Sequence, residues 1–332
     1  MKQKTAIRLA VILLMGVILV GCGDREPATA TVGKEKIGVS ETIFYTRLNQ
    51  QQWEMAYAES FGPDFWSRSL GEEIGTFADE LKRQVMETVI QIHVLNAHAD
   101  EYKIKLTKEE EAQVEARVAE FMESHSESVK EAAGATEELV EILLRQRVIA
   151  DKVTEAMVAD YVPTVTKEEA SLGRMIYCLF STLGTYDAQG NHTTVSEEEK
   201  GQIKEEAQAF AARAQELRDL EAAADMDKRT YIDVYFNETT NGGAHEKVAE
   251  ILRTMEVGQV SEPIETEDGY YVIQYVSEYD EEATNANMEN LAQVKTQQYF
   301  EDLYDRWCEQ TEITVDWTVL DTIPIDKVLF VD

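Results

Sequence analysis

The sequence predicts an α+β protein: helical segments toward both ends of the chain, with a sheet-bearing segment between. Three observations carry this expectation. Apolar residues recur at helical spacing through most of 41–161, and the two runs Arg174–Phe180 and Tyr270–Val276 alternate as strands do. A further helical run, 284–310, follows the second alternating run.

Taken in order, residues 1–22 begin with Lys2, Lys4 and Arg8, continue as an apolar stretch from Leu9 to Val20 and end in small residues, as a secretory signal does. The apolar stretch is short for a membrane span of about 20 residues. Leu19-Val20-Gly21-Cys22 resembles the bacterial lipobox, which implies a lipid on Cys22 and an extracytoplasmic chain anchored to the cell membrane; an uncleaved anchor helix is the alternative. With 31 basic and 64 acidic residues, the net charge is −33. Such a polyanion does not bind nucleic acid or anionic lipid by electrostatics. It can attract basic unfolded chains, or it is a solvated surface. Beyond Cys22 only Cys178 and Cys308 occur, so there is no disulfide framework and no zinc-ligand spacing. His93 and His98 stand five apart, off the three- or four-residue spacing of one helix face. No metal and no cofactor is expected.

After a tether at 23–29, residues 30–41 read as a short hairpin with Ser40 as a helix N-cap, followed by a helix over 41–58 and a break at Gly62-Pro63. The aromatics Trp53, Tyr57, Phe61, Phe65 and Trp66 suit a peptide-binding surface or, more ordinarily, a core. A long amphipathic helix is predicted from Glu72 to Tyr102, with Ile74, Phe77, Leu81, Val85 and Val89 on its stripe. Thr107–Glu110 is a capping box for the next helix, and Thr136 caps another that ends at Val162-Pro163. Thr166–Glu169 caps again ahead of the first strand, a polar loop holds Asp187, Gly190 and Asn191, and Ser196–Glu199 caps a helix to about Asp219. A strand over Thr230–Phe236 and a helical run over 244–256 come next. Asp280–Glu282 reads as an acidic linker, and the chain from Ile313 to Phe330 as extended.

The most specific stretch is Gly258 to Val276. Gly258 suits a helix C-cap, Pro263 an edge position, Asp268-Gly269 a tight turn, and Tyr270 onward a strand. This stretch resembles the closing segment of the parvulin family of peptidyl-prolyl isomerases, with Gly258, Val260, Ser261, Pro263, Ile264, Thr266, Gly269, Tyr270, Val272 and Ile273 on the family pattern. Arg174–Phe180 resembles that family's first strand, with Leu179 and Phe180 in its positions. Residues 30–41 are similar to the opening of extracytoplasmic foldases of the PrsA and SurA type. The resemblance implies a signal peptide at 1–22, an N-terminal helical chaperone domain at 23–165, an inserted parvulin-like domain with a small antiparallel sheet and flanking helices at 170–279, and a C-terminal helix and strand at 284–332 that return to the N-terminal helices. It also implies a site. Tyr177 and Tyr271 stand where the family has histidines, Thr266 remains, and Asp225 or Asp227 is the candidate for the catalytic Cys or Asp, with Asp227 taken. Leu179, Tyr235 and Phe236 would contact substrate, with Ala244 and Val248 in place of the family's Met and Phe.

Prolyl isomerisation crosses a barrier of about 18–20 kcal/mol set by amide resonance. An apolar pocket with polar groups aimed at the twisted amide lowers it with no covalent step. A tyrosine pair can hydrogen-bond and fill volume but does not titrate near neutral pH. Two readings therefore stay open: an isomerase-type foldase for secreted proteins with reduced activity, or a non-catalytic holdase that binds extended secreted chains through the parvulin domain. A solute-binding lipoprotein fits poorly, since the chain lacks a two-lobed α/β alternation. The oligomeric state, a homodimer included, is open.

Overall fold

The computed structural model describes residues 26–62, 64–186 and 192–325. The signal segment with Cys22, Pro63, the loop residues Asp187, Gly190 and Asn191, and the end of the chain beyond Ile325 lie outside the described residues. The described residues divide into two compact units, one formed by those up to 161 with those from 297 on, and the other by those between 162 and 296. The fold is mixed, with many helices and small antiparallel sheets.

In the first unit, β1 (Ala28–Val32) and β2 (Glu35–Gly38) form a hairpin that leads into α1 (Val39–Phe61). The helix starts before Ser40, which is not its N-cap. The Ser40 hydroxyl and amide both donate to Glu26, so that carboxylate serves the first turn from outside the helix. A 3-10 turn at Phe65–Ser67 and the short hairpin of β3 (Ser69–Gly71) and β4 (Gly75–Thr76) precede α2 (Phe77–Ala97). The expected helix from Glu72 therefore begins five residues late. Gly71 and Gly75 take positive φ (117° and 88°), and Thr76 forms a reciprocal capping box with Asp79, so the helical stripe starts at Phe77 and Ile74 is left exposed.

Helix α3 (Lys108–Ser124) opens on the Thr107/Glu110 capping box; the short α4 (Glu127–Ala133) was not foreseen, and α5 (Glu137–Val158) is capped by Thr136. The apolar stripes of α2, α3 and α5 meet in buried clusters that include Leu81, Val89, Val114, Val140, Leu143 and Val153. A buried polar chain is enclosed with them. Arg47 donates to Gln50, Gln50 to Glu54 at 2.7 Å, and Trp66 Nε1 to the same carboxylate at 3.2 Å. The aromatic cluster divides: Phe65 and Trp66 are core, while Tyr57 and Phe61 are 39% and 37% exposed.

The second unit opens with α6 (Lys167–Ala170), capped by Thr166, and β5 (Gly173–Ser181), followed by the two-residue strands β6 (Thr185–Tyr186) and β7 (His192–Thr193). Helix α7 (Glu197–Leu217) starts on the Ser196/Glu199 capping box, and α8 (Leu220–Asp227) is capped by Asp219. Then come β8 (Ile232–Phe236), α9 (Glu246–Leu252), β9 (Ile264–Thr266) and β10 (Gly269–Ser277). The sheet is antiparallel in the order β8-β5-β10-β9. One face packs under α7 and α8 through Ile176, Cys178, Phe180, Phe210 and Val272; the other gathers Met175, Val234, Val248, Leu252, Tyr271 and Ile273.

The supposed acidic linker after Tyr279 is the start of α10 (Glu281–Gln310). Asp280 Oδ1 accepts from the Ala283 amide at 2.9 Å, and Glu281 and Glu282 favour the positive end of the helix. Its residues to 296 count with the second unit and those from 297 with the first. In the first unit β11 (Ile313–Val315) pairs with β1, Ala30 facing Val315. The extended ending expected beyond it is interrupted by α11 (Trp317–Leu320), because Asp316 accepts from the amides of Thr318 and Val319.

Candidate active site

The Gly258–Val276 stretch folds as it does because β10 needs a partner along its length. Where β9 ends, the chain continues the pairing irregularly: Gly258 N–H donates to Tyr275 O at 2.6 Å, Tyr275 N–H to Gln259 O at 3.1 Å, and Ser261 N–H to Ile273 O at 2.9 Å. Ser261 Oγ accepts the return bond from the Ile273 amide at 3.0 Å. The turn into β10 requires Gly269, whose φ is 134° and whose missing Cβ would stand 2.1 Å from Phe180 O. Thr266 Oγ1 accepts from the Asp268 amide and donates to Gly269 O, both at 3.2 Å, so its hydroxyl is committed to holding this turn.

Register then brings the tyrosines together. Tyr271 lies opposite Leu179 and Ile273 opposite Tyr177, which puts Tyr177 and Tyr271 diagonally on one face. Their ring centroids are 5.1 Å apart at 55°. Met175, Val234, Val248 and Ile273 pack with them, together with the half-buried Leu179, Phe236 and Ala244. Six of the residues singled out from sequence thus fall in one apolar cluster on this face, with Val248 and Tyr271 buried and Tyr177, Leu179, Phe236 and Ala244 half-buried. Thr266 sits at its end, in the turn.

Two do not join. On β8 the alternation that turns Val234 and Phe236 to this face turns Tyr235 away, and its backbone partner is Arg174. Asp227 ends α8 and pairs with Arg213 of α7, on the side of the sheet that carries Cys178. Cys178 is itself fully buried, its thiol donating to Thr230 O at 3.6 Å, and burial pushes its pKa up to about 11. It is no nucleophile.

The two phenols do not bond to each other among the described residues. The Tyr271 hydroxyl donates to Asp268 Oδ2 at 3.3 Å instead. Burial first, then the charge of Asp268 and the neighbouring Tyr177, push the Tyr271 phenol up to about 12. Burial and Asp268 raise Tyr177 as well. Both are neutral donors at physiological pH, and the Tyr177 hydroxyl has no protein partner among the described residues.

Sequence reasoning missed three residues. Asp268 was read only as a turn residue, although it is the acceptor that orients Tyr271. His245, one residue past Ala244, caps α9: its Nδ1 accepts from the Lys247 amide at 3.1 Å, its Nε2 lies 3.1 Å from Glu267 Oε2, and its ring centroid is 6.4 Å from that of Tyr271. The Glu267 carboxyl is held below its ordinary value by its own backbone amide and by His245. Adjacency to Ala244 was the available signal for His245. Among the described residues no group of His, Cys, Asp and Glu is arranged to hold a metal ion.

Residues 187–296 match the family model of the PPIC-type peptidyl-prolyl isomerase domain. The chain is 23% identical, over 94% of its length and 95% of the relative's, to the foldase protein PrsA of Clostridium tetani. Among solved structures it resembles the peptidylprolyl isomerase PrsA of Bacillus cereus, with 18% identity, 78% of this chain and 97% of that one covered, and a TM-score of 0.30. A SurA-like chaperone of Campylobacter jejuni matches with 12% identity, 87% and 98% coverage and a TM-score of 0.31. At TM-scores this low the structural matches add nothing to the assignment. The domain match and the near full-length relative stand beside a sheet whose one face gathers the two tyrosines with Leu179, Phe236, Ala244 and Val248, and residues 187–296 of this chain are assigned to the PPIC-type peptidyl-prolyl isomerase domain.

Proposed function

We propose that this protein is an extracytoplasmic foldase, held to the cell membrane by a lipid on Cys22, whose parvulin-type domain isomerises prolyl bonds of extended secreted polypeptides at a reduced rate. The observation that carries the reading is the tyrosine pair on an apolar face beside Ala244 and Val248. An apolar surface of this kind holds a proline ring, and rotation about the amide leaves a nitrogen lone pair and a carbonyl that no longer share resonance. The unpartnered Tyr177 hydroxyl is the donor available to such a twisted amide, while Tyr271, tied to Asp268, fixes the ring against which the proline packs. The rate is reduced because small side chains at 244 and 248 give less apolar contact, and because one of two phenols is already committed.

Residues 162–296 are in this reading an inserted folding unit, with the N-terminal helices and the C-terminal strand forming the other. Among the described residues no helix is long and apolar enough to cross a membrane, which is compatible with anchoring through Cys22. A second reading, a holdase that needs no catalysis, is favoured by the exposed Met55, Tyr57, Phe61 and Ile74 of the first unit, a surface suited to unfolded chain.

The test is isomerisation of a short Ala-Pro-Phe peptide alongside suppression of aggregation of an unfolded client. A slow rate is expected, raised by Tyr177→His with Tyr271→His beyond the sum of the single changes. Tyr177→Phe should lower the wild-type rate. A rate equal to that of a histidine-bearing parvulin, or no effect of Tyr177→Phe, would overturn this assignment of roles.

A further inference from the structure

The sheet face that carries the tyrosines continues toward the beginning of β5 and there floors a cavity of about 1160 Å³ within the second unit. Phe236 and Tyr275 meet edge to face on its floor, 5.6 Å between centroids, with Met175 and Leu252 beneath them. None of Tyr177, Thr266, Tyr271 and His245 lines it. The volume exceeds the roughly 300–1,000 Å³ of ordinary small-molecule pockets.

The rim decides what could fill it. Glu168, Glu238 and Glu278 border the cavity and make no ion pair among the described residues, whereas Glu169 is matched by Lys295 at 2.9 Å. The one basic side chain of the lining is Arg253, which donates to Asn241 Oδ1 at 3.1 Å. An aromatic floor under a negative rim repels anionic ligands and attracts a ligand that is apolar and cationic at once. A metal ion is not such a ligand, and these carboxylates do not converge on one point.

We propose that this cavity is a second polypeptide site, which takes an extended segment of alternating bulky apolar and basic residues without requiring proline. An extended chain turns successive side chains to opposite sides, so an apolar residue seats on Phe236 and Tyr275 while its Lys or Arg neighbours reach the rim. A client held here remains bound whether or not a prolyl bond is engaged at the tyrosines. The site thus goes beyond the isomerase reading and does not depend on it.

The experiment measures fluorescence anisotropy of a labelled, proline-free peptide of about 12 residues, alternating Lys with Phe or Leu, on titration with the full chain. The wild type should bind it in a salt-sensitive way. The triple variant Glu168→Gln, Glu238→Gln, Glu278→Gln should bind about tenfold more weakly, the sum expected of three partly exposed charge pairs. These carboxylates hold no structural partner, so an unchanged melting temperature checks that the fold is intact. A peptide with Glu for Lys should not bind, and excess Ala-Pro-Phe peptide should not displace the probe. Equal affinity in wild type and triple variant, no binding by the wild type, binding of the Glu peptide, or displacement by the proline peptide would each overturn the proposal. Since the probe has no prolyl bond, any of the first three results would leave the isomerase reading standing.

Discussion

His93→Gln probes a buried charge on which the first unit depends. His93 lies on α2 and is 2% exposed. Its Nε2 is 3.0 and 3.1 Å from the two oxygens of Glu41 at the start of α1, and its Nδ1 is 3.3 Å from Glu35 Oε1 of β2, off the line of a hydrogen bond. The group therefore fastens the hairpin and two helices at one point. Burial by itself disfavours the imidazolium, but the two carboxylates outweigh it and raise its pKa from 6.5 to about 9. A pKa raised on folding contributes stability that is fully present below the unfolded value of 6.5 and is lost as the pH climbs through 9. A rise of that size corresponds to about 3 kcal/mol. Glutamine keeps a donor for Glu41 and similar bulk but carries no charge. Urea unfolding at acidic, neutral and alkaline pH should show the variant least stable relative to wild type near pH 6, with the difference shrinking by about 3 kcal/mol by pH 10. Parallel pH profiles for the two proteins would refute the argument, because they would mean that folding leaves the imidazole pKa where it is in the unfolded chain.

Gly269→Ala should destabilise the second unit by more than about 2 kcal/mol, since φ is 134° and the new Cβ would collide with Phe180 O; an unchanged melting temperature would show that the turn relaxes at little cost. Cys22→Ala should release the protein from membranes or leave its precursor uncleaved, because acyl chains bind at about 0.8 kcal/mol per buried methylene. Retention of label from radioactive palmitate in that variant would exclude Cys22 as the anchor. Replacing residues 162–296 by a Gly/Ser linker should leave a cooperatively melting, mostly helical remainder, and the excised segment should fold alone; loss of cooperativity in both would show that the units are not independent.

Signals that act within a few residues were legible in the sequence. The capping residues Thr107, Thr136 and Ser196 start helices where they were expected, because a cap bonds an amide three residues on. The period-2 runs became β5 and β10, and the Asp268-Gly269 turn stands where the dipeptide placed it. Even so, local signals competed. At Glu72–Thr76 the helical stripe lost to two glycines and a second capping box, and at Asp280 a carboxylate read as linker proved to be a cap.

What a side chain meets across the fold was decided only by tertiary structure. Tyr235 and Phe236 are neighbours in sequence, yet strand alternation sends one to the tyrosine surface and the other away, and nothing local says which. Asp227 was placed at the site by its chain position, but α8 packs on the far face and its carboxylate belongs to Arg213. His245 and Asp268 entered the site through the packing of α9 and the β9–β10 turn, with His245 26 residues before Tyr271 in the chain. Backbone geometry and capping are set by adjacent residues, whereas pocket composition is set by register and packing between segments, which no stretch of sequence contains by itself.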